Sequence, residues 1–275
     1  MKRLVVTADD FGASVDVNRA VRRAHREGIL TCASVMMGAA AVKDAVAIAR
    51  AEGVPVGLHL TLVDGRPVLP PERVPDLVDA DGAFRRGLVG PAVRLASSKR
   101  ARRQAAAECE AQMEAFLATG LTLDHVNAHH HFHLHPFVLA IVVELARRYG
   151  APAVRVPLEP GVPPYRCAAL AATMTPWSLR ARHRLRRAGV VTNDALFGLY
   201  DTGSMTETTW LRIVPRIGPG ITEVYCHPAT ITLPSEAPTA SPADELAALL
   251  SPIVRSALDG AGIRRMSFAA AAVRE

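Results

Sequence analysis

Leu123-Asp124-His125-Val126-Asn127-Ala128-His129-His130-His131-Phe132-His133-Leu134-His135-Pro136 is the stretch on which the reading of this chain turns. Six of the ten histidines lie between positions 125 and 135. Residues 123–127 alternate apolar and polar side chains, the period of a β-strand. The histidines crowd where that strand ends, and Pro136 opens an apolar run over 137–145 that reads as a helix. The cluster therefore sits on a strand-to-helix turn, where α/β folds commonly place their chemistry. Neutral imidazole is the commonest protein ligand for zinc and similar divalent ions. The plainer alternative is a polar loop or an accidental histidine tract, and ligands elsewhere in the chain must decide.

Outward from this stretch, helices and strands alternate. Residues 4–7 read as a first strand that runs into Asp9-Asp10-Phe11-Gly12. Ser14 can cap the next helix, with Val17, Ala20, Val21 and Ala24 as its buried stripe and Gly28 as its end. A second strand follows at 31–37. The helix at 40–51 turns Val42, Ala45, Val46 and Ala49 inward, and a third strand at 54–62 carries His59. Residues 64–90, with four prolines and four glycines, read as a long loop over one face, the kind that is more often functional than idle. A helix over 98–117 precedes the histidine-bearing strand. The helix after it ends at 149, and Val154-Arg155-Val156 reads as a short strand. Residues 161–190 are proline-rich, then helical and basic. A strand and turn at 190–198, a helix at 206–213 and a strand at 222–226 lead to His227-Pro228. A last helix at 243–257 and a strand at 264–268 complete an α/β pattern that argues for a parallel barrel or sheet. With no repeat, linker or composition break, residues 1–275 are expected to form one domain.

Composition narrows the class. A chain of 275 residues, 49% hydrophobic and 21% charged, can bury a large core. No apolar run reaches the roughly 18 residues a membrane span needs, and Met1-Lys2-Arg3-Leu4-Val5-Val6 is too short for a signal-peptide core. Cys32, Cys109, Cys167 and Cys226 are scattered without a CxxC, so neither a disulfide framework nor a thiolate zinc site is suggested. A cytoplasmic enzyme is the expectation. The net charge of +6 is concentrated in Arg180, Arg182, Arg184, Arg186 and Arg187. That argues against a nucleic-acid binder and for a local anionic partner at most.

In a parallel barrel all strand C-termini face one end. Asp9-Asp10, His59, His129 and His227 then converge, with Arg155 between the last two. Four motifs carry a resemblance: Thr7-Ala8-Asp9-Asp10-Phe11-Gly12, Val56-Gly57-Leu58-His59-Leu60, the stretch Asp124 to His133, and Tyr225-Cys226-His227-Pro228. In order and content they resemble the YdjC-like (ChbG/HpnK) carbohydrate deacetylases, across nearly the whole chain. The resemblance implies an irregular TIM-like (β/α) barrel, a single divalent metal, and removal of N-acetyl groups from amino sugars. Its metal ligands, one Asp and two His, match Asp10, His59 and His129. The family's histidine stretch often reads Asp-Ser where this chain has Asn127-Ala128. Neither position is a presumed ligand, so the departure concerns the surroundings of the metal.

Chemistry agrees with that assignment. One carboxylate and two imidazoles leave open positions on a divalent ion, as catalytic sites require. Adjacent residues at a strand end point different ways, so Asp10 is expected as ligand and Asp9 as the base that activates water. His227 is expected as the general acid that protonates the leaving amine. Arg155 resembles the arginine that holds the catalytic Asp in related polysaccharide deacetylases, with a plain structural ion pair as the alternative. His130 and His131 are expected near substrate or His129; His125, His133 and His135 are left open as residues around the ligands, facing substrate or at the surface. By softness the ligands suit zinc, cobalt or nickel, whereas the family is often described with magnesium. Val63-Asp64-Gly65-Arg66-Pro67-Val68-Leu69-Pro70 and Ser251-Pro252-Ile253-Val254-Arg255 look most like the hopanoid-biosynthesis-associated branch. The implied substrate is an N-acetylglucosaminyl lipid, with a soluble chitooligosaccharide as its rival. Residues 175–188 would then meet an anionic membrane at the inner face, with Trp177, Leu179 and Leu185 as anchors; a solvated surface helix is the alternative. A homodimer is left open. Two other classes compete: a two-metal amidohydrolase using the HxH pairs at His131, His133 and His135, and a non-enzymatic metal-binding protein.

Overall fold

A computed structural model describes residues 1–161, 167–231 and 241–273; residues 162–166, read above as part of the proline-rich stretch, lie outside them. In chain order the elements are β1 (Lys2–Phe11), α1 (Val15–Glu27), β2 (Cys32–Val35), α2 (Val42–Glu52), β3 (Val56–Leu60), α3 (Val89–Ser97), α4 (Lys99–Ala118), β4 (Leu123–Ala128) and α5 (Pro136–Arg148). They continue with α6 (Ala168–Arg187), β5 (Ala195–Phe197), α7 (Glu207–Ile213), β6 (Gly220–Cys226), α8 (Pro242–Leu250), α9 (Pro252–Gly260), β7 (Arg264–Arg265) and α10 (Phe268–Ala272). The strand order is β4-β3-β2-β1-β6-β5 with β7 against the start of β1, and every pairing is parallel. This is the α/β, barrel-like fold that the alternation of elements predicts.

The barrel is irregular where β4 and β5 should meet. Val154 and Ala153 make only isolated bridges, to Val126 and Val191, and Leu196 donates to the Leu158 carbonyl. The short strand expected at 154–156 is therefore not a regular strand. Pro152 and Pro157 flank it, and neither has the N–H that a longer ladder would need. Three other expectations change. Residues 89–97, of which the sequence places 89 and 90 in the loop and leaves the rest unassigned, form α3. The helix expected over 243–257 is two, because Ser251 caps a new start at Pro252 by accepting from the amides of Ile253 and Val254. The expected strand at 264–268 stops at Arg265, and Phe268 starts α10.

Alternation along each strand fills the barrel interior. Val5, Cys32, Ala153 and Ile221 form an apolar floor with Phe268 and Ala271 of α10. Above it Thr7 meets Cys32 and donates to Glu223, and above that lie Asp9, Ser34, His59 and Asn127 at the strand C-termini. Gly57 makes room for this stacking: a Cβ there would lie 2.5 Å from the His125 carbonyl oxygen and 2.6 Å from its ring. Gly57→Ala should therefore destabilise the fold by about 1–3 kcal/mol, read by urea or thermal melts. Wild-type stability would show that β3 and β4 tolerate a wider spacing.

Candidate active site and metal centre

The site is built on a buried ion triad. Arg155, fully buried, donates from Nη1 to Asp9 Oδ2 at 2.5 Å and from Nη2 to Asp9 Oδ1 at 2.9 Å. The same guanidinium reaches Glu223 Oε1 from Nε at 2.9 Å and from Nη2 at 2.6 Å. Ser34 Oγ and Asn127 Nδ2 also donate to Asp9 Oδ1, at 2.8 and 2.9 Å. Burial by itself would raise the pKa of Asp9, but the charge and hydrogen bonds of Arg155 together with the neighbouring imidazoles outweigh it and hold the carboxyl well below the usual carboxylate range.

Asp10 points elsewhere because the strand bends there, with φ 60 at Asp10. Its Oδ1 lies 3.2 Å from His59 Nε2 and 3.1 Å from His129 Nδ1, and the two nitrogens are 3.2 Å apart. Ligand bonds of about 2.1 Å place donor atoms roughly 3.0–3.4 Å apart at right or tetrahedral angles. The three atoms are thus spaced as one face of a coordination shell, and Asp10 Oδ1 is buried without a hydrogen-bond donor. A divalent ion fits the residues present. His59 Nδ1 faces Asn127 Oδ1 at 2.7 Å, an outer partner of the kind that metal-ligating histidines keep.

The remaining histidines separate by position. His130 packs its ring on His129, 4.2 Å between centroids, and pairs with Asp64 at 3.4 Å. His131 turns inward to the Tyr225 hydroxyl at 3.3 Å, and that hydroxyl also meets Thr202 at 2.9 Å. His133 donates to the Arg155 carbonyl at 2.9 Å, His125 pairs with Asp124 at 2.9 Å, and His135 caps α5 at the Phe137 amide. The two HxH pairs therefore do not converge on a common ion, which removes the basis for the two-metal reading. A second donor cluster among the described residues, Cys32, Asp124 and His125, is already occupied: Asp124 accepts from His125 and from the Phe268 and Ala269 amides. His227 faces the cavity beside Tyr225, ring centroids 5.5 Å apart, with its backbone held by Glu245.

Asp9, Asp10, His59, His129, His130, His131 and His227 line one cavity of about 530 Å³. Backbone strain gathers there: the non-glycine residues with positive φ are Asp10, Asp64, His130 and His131 among those described. Leu88, Leu170 and Met174 form the cavity's outer wall and continue into an apolar groove of about 390 Å³ that ends at Trp177 between α3 and α6. Leu88, Leu170 and Trp177 are 40–44% exposed. Sequence reasoning missed Ser34, Glu223 and Tyr225 and gave Asn127 no role. Their signal was strand phase: each lies two residues from another inward side chain.

The family model described as "YdjC-like protein" matches residues 3–260. A carbohydrate deacetylase from Geobacillus stearothermophilus is 32% identical over 96% of both chains. One from Brevibacillus brevis is 33% identical over 82% of this chain and 81% of its own. Among solved structures, a candidate cellobiose-phosphate cleavage protein from Enterococcus faecalis superposes with a TM-score of 0.80, at 25% identity over 99% of both chains.

Two histidines of the site make folding sensitive to acid. Burial pushes His131 well below the usual histidine range and His133 down to about 4. Between the unfolded value of about 6.5 and those folded values, the unfolded chain binds more protons. Stability should thus fall as the pH drops from about 6.5 to 4, by roughly 3 kcal/mol for His133. In His133→Gln the slope of unfolding free energy against pH should shrink by close to one proton in that window. An unchanged slope would mean His133 is not buried neutral.

Proposed function

The chain belongs to the YdjC-like family, and from that premise we propose that it is a carbohydrate deacetylase, a hydrolase that removes the acetyl group from an N-acetylglucosamine unit. The observation that carries the reading is the Asp10–His59–His129 triangle beside the Arg155-clamped Asp9. When bound, a divalent ion supplies Lewis-acid polarisation of the acetamide carbonyl and of water. Everything else falls to the chain's own groups. Oδ1 of Asp9 already receives three donors and Oδ2 one, so the proton of the attacking water goes to Oδ2. Arg155 fixes that oxygen's direction and weakens its basicity, so Asp9 acts on water made more acidic within the site. His227, across the cavity, gives its proton to the nitrogen as the C–N bond breaks, and the products are acetate and the free amine.

The lipid-linked reading of the substrate, an N-acetylglucosaminyl hopanoid, is supported by the apolar groove that leaves the reacting centre past Leu170 and Met174. No helix among the described residues is long and apolar enough to cross a membrane. Contact with an anionic membrane surface is proposed through α6 and the exposed Val89 and Val93 of α3. One expected anchor is withdrawn: Leu185 is fully buried in the core. Arg186 is paired with Asp194. A soluble chitooligosaccharide is the second reading, favoured by a polar hollow of about 600 Å³ lined by Asp64, Arg66, Asp81 and Arg86.

Two measurements test these readings. Acetate release should require a divalent ion and stop with chelator. His59→Ala and His129→Ala should lose both metal and turnover, while His227→Ala and Asp9→Asn keep the metal and lose turnover; full activity in Asp9→Asn would remove it as the base. For the groove, Trp177→Glu should raise KM about tenfold for a glycosylated hopanoid, the effect of losing some 1.4 kcal/mol of apolar contact. The same change should leave diacetylchitobiose turnover unaltered. Preference for the free disaccharide, with no sedimentation on anionic vesicles at low salt, would refute the lipid assignment.

A further inference from the structure

We propose that Glu245 is a positioning residue for the general acid. From the first turn of α8 its carboxylate fixes the main chain of His227 and ties it to a second piece of the cavity wall at Met205. The proposal rests on the reading of His227 as the acid that protonates the leaving amine.

His227 lies just past the reach of the sheet. The ladder between β1 and β6 ends at the pair Ala8–Cys226, and that between β5 and β6 ends at Phe197–Val224. The N–H of His227 therefore has no ladder partner, and a main-chain donor without one is costly inside a protein. Glu245 supplies it: Oε2 accepts from the His227 amide at 2.5 Å, and Oε1 accepts from the Met205 amide at 3.3 Å. The link is not alone, since Ala229 donates to the Pro242 carbonyl at 3.2 Å. Pro228, between the two, has no N–H to place and biases His227 toward extended backbone. The platform itself is firm. Ser241 and Asp244 form a capping box at the start of α8, Leu246 and Leu249 root the helix in the core, and its positive end favours a carboxylate in the first turn.

What the carboxylate joins is the working wall of the cavity. Leu199, Thr202 and Gly203 line it together with His227. Glu159 accepts from the amides of Leu199 and Tyr200 at one end of that segment, and Glu245 closes the other end at Met205. The His227 ring stands edge-on to Tyr225, with the ring planes 81° apart, so its aim is set by that packing and by the main chain beneath it. Glu245 is 1% exposed, and both of its partners are N–H donors, so both oxygens must accept. A glutamine offers one acceptor and sets its NH2 against the other N–H. An alanine offers none.

The test uses the full-length, Zn2+-loaded protein and two substrates that differ in what leaves. In diacetylchitobiose water adds to the acetyl carbon, the C–N bond breaks, and the nitrogen keeps the electron pair and takes a proton from His227. In 4-nitrophenyl acetate the C–O bond breaks and nitrophenolate departs with the pair, needing no proton. His227→Ala, the reference, should lose about 100-fold or more in kcat on the amide and little on the ester. Glu245→Ala should show the same selectivity, losing about 10–100-fold in kcat on the amide with KM, ester turnover and Zn2+ affinity close to wild type. Glu245→Gln should fall between Glu245→Ala and wild type. Unchanged kcat on the amide would overturn the proposal. So would equal losses on both substrates or a loss of Zn2+, which are what a purely structural role produces. Should Glu245→Ala fail to fold, Glu245→Gln decides by the same selectivity. Should wild type leave the ester intact, the double variant of His227→Ala with Glu245→Gln decides: no loss beyond that of His227→Ala supports the proposal, and a second multiplicative loss overturns it. A His227→Ala enzyme that loses both substrates alike would refute the acid itself, a failure distinct from that of Glu245 because the reference variant shows it.

Discussion

Arg155 is the group on which the rest of the barrel mouth depends. A fully buried guanidinium is costly unless every donor is used and opposite charge surrounds it. Here Asp9 and Glu223 take four of its hydrogen bonds, the Tyr225 ring lies 4.7 Å from its centre, and His133 holds its backbone carbonyl. Thr7 supports Glu223 in turn. Removing any one of these leaves a buried charge with fewer partners, so strands β1 and β6 and the irregular segment at 153–156 are bound into one electrostatic unit. The segment lacks a regular ladder on both sides, and the ion triad supplies the cross-link that backbone pairing does not.

Charge balance links this triad to the metal centre. Asp9, Asp10 and Glu223 set three carboxylates against the single guanidinium of Arg155. With the histidines neutral, the buried group carries two uncompensated negative charges. Burial makes such an excess expensive, and a divalent ion held at Asp10, His59 and His129 would cancel it. The lowered pKa of Asp9 comes from its positive neighbours, Arg155 foremost, acting against burial. A carboxylate held so firmly is a weak base, so the base role proposed for Asp9 would need water made more acidic by an ion held at Asp10, His59 and His129. Strain serves the same end. The left-handed turn at Asp10 aims two consecutive aspartates at different tasks, and those at His130 and His131 separate one ring beside His129 from another beneath Tyr225.

Much of the fold was legible in the sequence. Strand period, the Ser14 cap and the apolar stripe of α1 depend on neighbours within one turn or one pleat, and local physics carries that information. The split between α8 and α9 was legible too, in Ser251-Pro252, but an uninterrupted apolar pattern masked it. Residues 64–90 resisted because their order comes from long-range contacts. Glu108 of α4 accepts from the amides of Val68 and Leu69, and Gln112 closes on Thr61, pairings that no local period announces. The apolar residues of α3 belong to the same class: Leu95 enters the core and Ala92 lines the groove, while Val89 and Val93 stay exposed.

By itself, then, the sequence determined the alternation of strands and helices and the placing of Asp9, Asp10, His59, His129 and His227 at strand ends. It did so because side-chain period and turn chemistry are local. Tertiary structure alone decided which atoms meet. Ser34, Asn127 and Glu223 lie 25, 118 and 214 residues from Asp9 (Ser34 and Asn127 by their hydrogen bonds to it, Glu223 through Arg155). Only the curl of the sheet brings them to the same carboxylate. The roles of the six clustered histidines were likewise undecided until the chain folded. A turn with two consecutive left-handed residues, His130 and His131, sends identical rings into a candidate metal face, a cavity wall, a backbone carbonyl and a helix cap.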